Sequence, residues 1–93
     1  MPKYVIERTV PGAGQMDETA LRAIAEQSNT VLQEMGPTIQ WVTSYVSDDK
    51  ITCVYYAADA ALVREHARRG GFPCDAIELV HTTIDPTTAA PLA

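Results

Sequence analysis

The stretch from Thr38 to Ala57 constrains the fold more than any other part of the chain. TIQWVTSYVSDDKITCVYYA is dominated by β-branched and aromatic residues and is interrupted only at Ser47-Asp48-Asp49-Lys50. That composition reads as two antiparallel strands joined by a tight hairpin turn. If Asp48 and Asp49 form a two-residue turn, Ser47 faces Lys50. The pairing then continues Val46/Ile51, Tyr45/Thr52, Ser44/Cys53, Thr43/Val54, Val42/Tyr55 and Trp41/Tyr56. Alternation puts Val42, Ser44, Val46, Ile51, Cys53 and Tyr55 on one face and Trp41, Thr43, Tyr45, Thr52, Val54 and Tyr56 on the other. Neither is plainly a solvent face, so each calls for a covering layer.

The flanking segments supply one such layer. Lys3 to Arg8 is a β-rich run closed by Pro11-Gly12-Ala13-Gly14, whose glycines and proline end regular structure. Asp17 then caps a helix whose inward positions Leu21, Ile24, Ala25, Ser28, Leu32 and Met35 recur at steps of three and four until Gly36-Pro37 stops it. Asp59 caps a second helix, Ala60 to Arg69, with Arg68 and Arg69 in its last turn and Gly70-Gly71 after it. Ala76 to Asp85 reads as a fourth strand, with no internal repeat anywhere. The order βαββαβ predicts the ferredoxin-like α+β sandwich, a four-stranded antiparallel sheet with two helices on one face. The other face stays open and carries aromatics, the kind of patch that marks an interface or a ligand groove, so a homodimer with sheet facing sheet is expected. One domain is expected over residues 1–86, with a loose tail over 87–93.

Composition bounds the function. At 93 residues the chain supports one hydrophobic core, and 46% apolar with 20% charged residues keeps it out of the disordered class. The apolar runs are too short to cross a bilayer, and MPKYVIER has none of the features of a secretory signal, so no membrane partner and a cytoplasmic location are expected. Seven Lys and Arg against twelve Asp and Glu give a net charge of −5, which argues against a nucleic-acid backbone as partner. Cys53 and Cys74 form no CxxC or Cys-His cluster and are expected to be reduced thiols.

Two histidines stand out. His66 falls between Val63 and Ala67 and four residues after Leu62, so it points inward or along the helix border; pattern alone favours a core-edge histidine bonded to a strand carbonyl or a Tyr over a ligand or base. Glu65 beside it makes the favourable i,i+4 pair with Arg69. His81 shares a strand face with Thr83 and Asp85, and imidazole with carboxylate suits nickel or zinc by donor type, although a complete site needs further donors from another element or subunit. Glu7 lies inside a strand that this topology makes central, where it needs a partner or serves as a desolvated base. Asp48 and Asp49 are accounted for by the turn itself. Neither glycine cluster has the spacing of a phosphate-binding loop or a dinucleotide site, and no serine elbow is present.

The segments YVIERTVPGAG, WVTSYVSDDKITCVYYA, REHARRGGFP and IDPTT, in this order and spacing, together resemble a small bacterial nickel-binding protein family otherwise classed as a domain of unknown function. The resemblance covers nearly the whole chain and implies a ferredoxin-like dimer that binds nickel. The matching blocks contain His66, Glu65, Glu7, Asp48, Asp49, Cys53 and Asp85 as possible metal donors, and His81 lies just before the last block. Two functions follow as expectations. One is a divalent-metal (nickel) binding homodimer without evident catalysis, held by His66, His81, Glu65 and Asp85. The alternative is a small-molecule binder or cofactor-free enzyme of the dimeric α+β barrel type, with a cavity on the aromatic sheet face lined by Glu7, Trp41, Tyr45 and Tyr56.

Overall fold

The computed structural model describes residues 1–91. Four strands and two helices follow in the expected order: β1 (Lys3–Thr9), α1 (Glu18–Met35), β2 (Ile39–Val46), β3 (Lys50–Ala57), α2 (Ala60–Gly70) and β4 (Ala76–Leu79). Short 3-10 turns lie at Ala13–Gln15 and Pro86–Ala89. The sheet is antiparallel in the order β2-β3-β1-β4, which is the ferredoxin-like α+β arrangement.

The helix ends are set by the residues that the sequence singles out. Asp17 accepts from Ala20 N at 2.8 Å, and Asp59 accepts from Leu62 N at 3.0 Å, each satisfying an otherwise orphaned donor of a first turn. At the far ends, Gly36 closes α1 through its N–H to the Leu32 carbonyl, and Gly71 closes α2 with a left-handed φ of 70°.

The hairpin keeps the expected register from Val46/Ile51 to Thr43/Val54 and then departs from it. Trp41 faces Tyr55, Gln40 faces Tyr56 and Ile39 faces Ala57, and Val42 is left over as a β-bulge. The predicted pairs Val42/Tyr55 and Trp41/Tyr56 therefore do not form. Strict alternation would aim Gln40 at the helices and turn Ile39 and Trp41 outward. The extra residue reverses that choice, so Ile39 is buried and Trp41 half-buried on the helix side while Val42 is exposed.

Strand β4 is shorter than the predicted Ala76–Asp85. Tyr4 pairs with Leu79, and Val80 N still reaches the Lys3 carbonyl at 2.9 Å. Lys3 is the first residue of β1, and the ladder ends with its bond to Val80. Residues 80–85 leave the sheet, and Asp85 caps the Pro86–Ala89 turn through Thr87. All described residues of the predicted tail are exposed, and its last two, Leu92 and Ala93, lie outside the described residues.

The core lies between the helices and the inner sheet face. Tyr4 and Ile6 on β1 meet Ile51, Cys53, Tyr55 and Ala57 on β3, with Val63, His66 and Ala67 of α2 and Val31 of α1 over them. The loop after β1 is stitched to the hairpin tip. Val10 N donates to Asp49 O at 2.9 Å, Gly14 N to Asp48 O at 2.9 Å, and Gly12 N to the Asp49 carboxylate at 2.8 Å. A Cβ at Gly14 would lie 3.0 Å from Asp48 Cα and 3.2 Å from the Ser47 carbonyl oxygen, so a larger residue there would push the hairpin tip back.

Candidate functional site

The four candidate metal donors fall in separate places. His66 is fully buried, its Nε2 3.1 Å from Ser28 Oγ and its ring flanked by Tyr55 and Phe72, with Nδ1 left without a partner. Burial, and then the charge of Arg8, lower its pKa to about 4, so the imidazole is neutral near neutral pH. Glu65 faces outward and is engaged by both Arg68 and Arg69 at 2.6 to 2.9 Å, which holds its carboxyl down at about 2. Asp85 is also lowered, by hydrogen bonds from Thr87. His81 is exposed beyond the end of β4, so the strand alternation expected to align it with Asp85 is not there.

The other candidate pocket divides across the sheet. Glu7, Tyr45 and Tyr56 lie on the open face, where Lys50 pairs with Glu7 at 3.5 Å and the Lys3 ammonium sits 5.3 Å from the Tyr56 ring centre. Tyr45 is 64% exposed. The bulge at Val42 moves Trp41 to the opposite face, away from the three residues predicted to join it.

Trp41 instead lines a cavity of about 320 Å³ on the helix side, between α1 and the β2–β3 end of the sheet. Leu21 and Ile24 line it from α1, Val46 and Ile51 from the hairpin, and Phe72 and Pro73 from the loop after α2. At its wall lies Arg8, only 4% exposed. Its Nε donates to Cys53 Sγ at 3.4 Å, Nη2 to Tyr55 OH at 3.4 Å and Nη1 to the Pro73 carbonyl, and the guanidinium sits 5.5 Å from the Phe72 ring centre. None of the ion pairs among the described residues includes Arg8. Sequence reasoning missed this residue although its signal was present, since Tyr4, Ile6 and Arg8 share one face of β1 by simple alternation.

Against that geometry, the sequence profile described as nickel responsive protein, SCO4226-like, matches residues 4–80. The chain belongs to the SCO4226-like family. Among solved structures, the SCO4226-like fold is matched by the crystal structure of SCO4226 from Streptomyces coelicolor A3(2). The TM-score is 0.74 over 88% of this chain and 99% of that one, at 15% identity. At that identity the likeness establishes the fold alone. No curated protein matches the sequence.

The family description makes nickel the metal to test against these SCO4226-like residues. Imidazole and carboxylate are suitable donors for it. Their placement is not: among the described residues no group of three or more His, Cys, Asp or Glu gathers as a metal site. His66 is enclosed by the core, and Glu65 and Asp85 are held by other partners. Within this chain, among the described residues, the four candidate donors stay apart. Nor is any helix among the described residues long and apolar enough to cross a membrane.

Proposed function

We propose that this chain is a non-catalytic binding protein responsive to divalent cations, nickel first, that works as a cytoplasmic homodimer. The observation that carries the reading is the family match over residues 4–80. The dimer is supported by the open sheet face, where Val5, Val54 and Tyr56 are only half-buried and Tyr45 stands out, all without a covering layer. Because the donors of one protomer stay apart, the ion on this reading is shared between copies, and His81, with its exposed imidazole, is the first donor to test.

Isothermal titration of tag-free protein with nickel and then zinc, paired with sedimentation equilibrium, tests this. The expected result is saturable nickel binding with fewer ions than chains, weakened in His81→Ala and unchanged in folded His66→Ala. Absence of saturable binding, or one ion per chain on a monomer in both variants, would refute it.

A second reading, uptake of a small organic molecule, is favoured by the cavity beneath α1. Catalysis there would call for a group that titrates near neutrality. Burial pushes the Tyr55 phenol up although Arg8 pulls it down, and Cys53 Sγ is taken up by hydrogen bonds from Arg8 and Ser44. The cavity is built for binding more than for turnover.

A further inference from the structure

A buried guanidinium without a carboxylate partner is unusual, because taking a charge out of water is costly unless an opposite charge or a full set of hydrogen bonds replaces the solvent. Arg8 has five N–H donors, and the contacts to Cys53, Tyr55 and Pro73 engage one on each nitrogen, leaving a further N–H on each terminal nitrogen. The chain carries a net charge of −5, yet no acidic side chain pairs with this cation among the described residues.

The space beside Arg8 is equally unsatisfied. An α-helix of 18 residues buries only Ser28 and Val31 fully, while Leu21, Ile24 and Ala25 remain half-buried because they look into the cavity instead of onto the sheet. Opposite them stand Trp41 and Val46, the latter 43% exposed. The polar groups of that wall are already partnered, Trp41 Nε1 donating to Ser44 Oγ at 2.9 Å and Ser44 to Cys53. Hence the cavity offers apolar walls and one polar determinant, a fixed positive charge. At about 320 Å³ it is at the small end of the range typical of ligand sites, roughly 300–1,000 Å³.

We propose that the cavity between α1 and the sheet binds a small organic carboxylate, whose carboxylate pairs with Arg8 and whose apolar body fills the gap between Ile24 and Trp41. The proposal rests on the second reading above and names its ligand class. It uses none of the candidate metal donors, so it stands or falls apart from nickel. Arg8 supplies the planar donor geometry that a carboxylate matches, and the apolar walls strengthen the pairing. Chain length is limited by the cavity, which favours a single ring or a short alkyl chain over a long lipid.

Trp41 is the only tryptophan and reports the site directly. The test titrates full-length, tag-free protein with phenylacetate and with the alkanoates from butanoate to octanoate, each beside its neutral amide, following Trp41 fluorescence. The expected result is saturable binding of at least one acid, at least about tenfold tighter than its amide, as a charge-assisted hydrogen bond in an apolar site implies. Arg8→Met, which keeps the packing and removes the charge, should abolish the preference for acid over amide. Ala25→Phe, which fills the cavity from α1 and leaves Arg8 in place, should abolish binding of both. If acid and amide bind alike, the anion assignment is overturned while the small-molecule reading stands. If neither binds and sedimentation shows that Ala25→Phe disrupts a dimer, the cavity is covered by a second copy and both ideas fall. Absence of binding with no change in assembly equally overturns the proposal.

Discussion

At the scale of single residues, the sharpest consequence concerns His66. Its imidazole stays neutral down to about pH 4 in the folded chain, whereas in the unfolded chain it takes up a proton below about 6.5. Over that window the unfolded state binds more protons, so stability falls as the pH is lowered from about 6.5 to about 4 and is unaffected by this group above it. The full loss is on the order of 3 kcal/mol. Thermal unfolding followed across that range should show the decline in wild type and a flatter profile in His66→Leu. Glu65, held at about 2 by its two arginines against about 4.5 when unfolded, adds its own loss from the low end of this window downward, and the comparison with His66→Leu removes it because both proteins share it. Ser28 is the polar interruption in the apolar stripe of α1, and His66 Nε2 explains it. Replacing Ser28 with Ala leaves a second buried nitrogen unpaired and should cost about 1–3 kcal/mol in a denaturant titration, more than an exposed serine such as Ser47 would.

Among the elements, β2 carries the most instructive departure from sequence alternation. The bulge at Val42 exists to seat Ile39 and Trp41 on the helix side, so deletion of Val42 should leave a regular ladder with Trp41 still opposite Tyr55. The emission maximum of Trp41 should then stay near its wild-type value. A large red shift would mean that the register runs through Val42 after all. The loop after β1 supports a second test: Gly14→Ala drives a methyl toward Asp48 Cα and should destabilise the fold by about 1–3 kcal/mol, read as a lowered denaturation midpoint. Both helices, their caps, the order of strands and the first pairs of the hairpin were legible in the sequence because they follow from local signals: Asp caps, Gly ends and alternation. The bulge was not, because it answers to which residue the helices bury, a tertiary matter. The end of β4 was hidden for a related reason, since His81 to Asp85 look like strand residues and only the reach of the pairing with β1, as far as Leu79, decides where the strand stops. Of the candidate site residues, Glu7, Tyr45 and Tyr56 share a face as alternation said, and helical spacing gave the Glu65–Arg69 pair and the inward turn of His66, whereas Trp41, His81 and Asp85 depend on contacts that no spacing reveals.

The whole molecule presents two unlike surfaces. On the open side of the sheet, Val54 lies between Val5 and Thr43 in the pairing, at the centre of the face proposed to meet a second copy. Val54→Lys should convert a dimer to a monomer by sedimentation equilibrium while leaving carboxylate binding unchanged, because the cavity lies on the other side of the sheet. A dimer that survives the substitution would move the interface elsewhere. The sheet order has a further consequence, for how the chain acquires its shape. Strand β1 is made before the other three strands, yet it is an inner strand, and both its neighbours, β3 and β4, come from distant parts of the sequence. The β2–β3 hairpin closes through nearby residues, whereas β1 has nothing to pair with until β3 has been made, and its second edge stays bare until β4 arrives. During synthesis the apolar run Tyr4-Val5-Ile6 is therefore an unpaired template waiting for partners, and its flanking charges, Lys3, Glu7 and Arg8, are what discourage it from pairing with another chain in the interval.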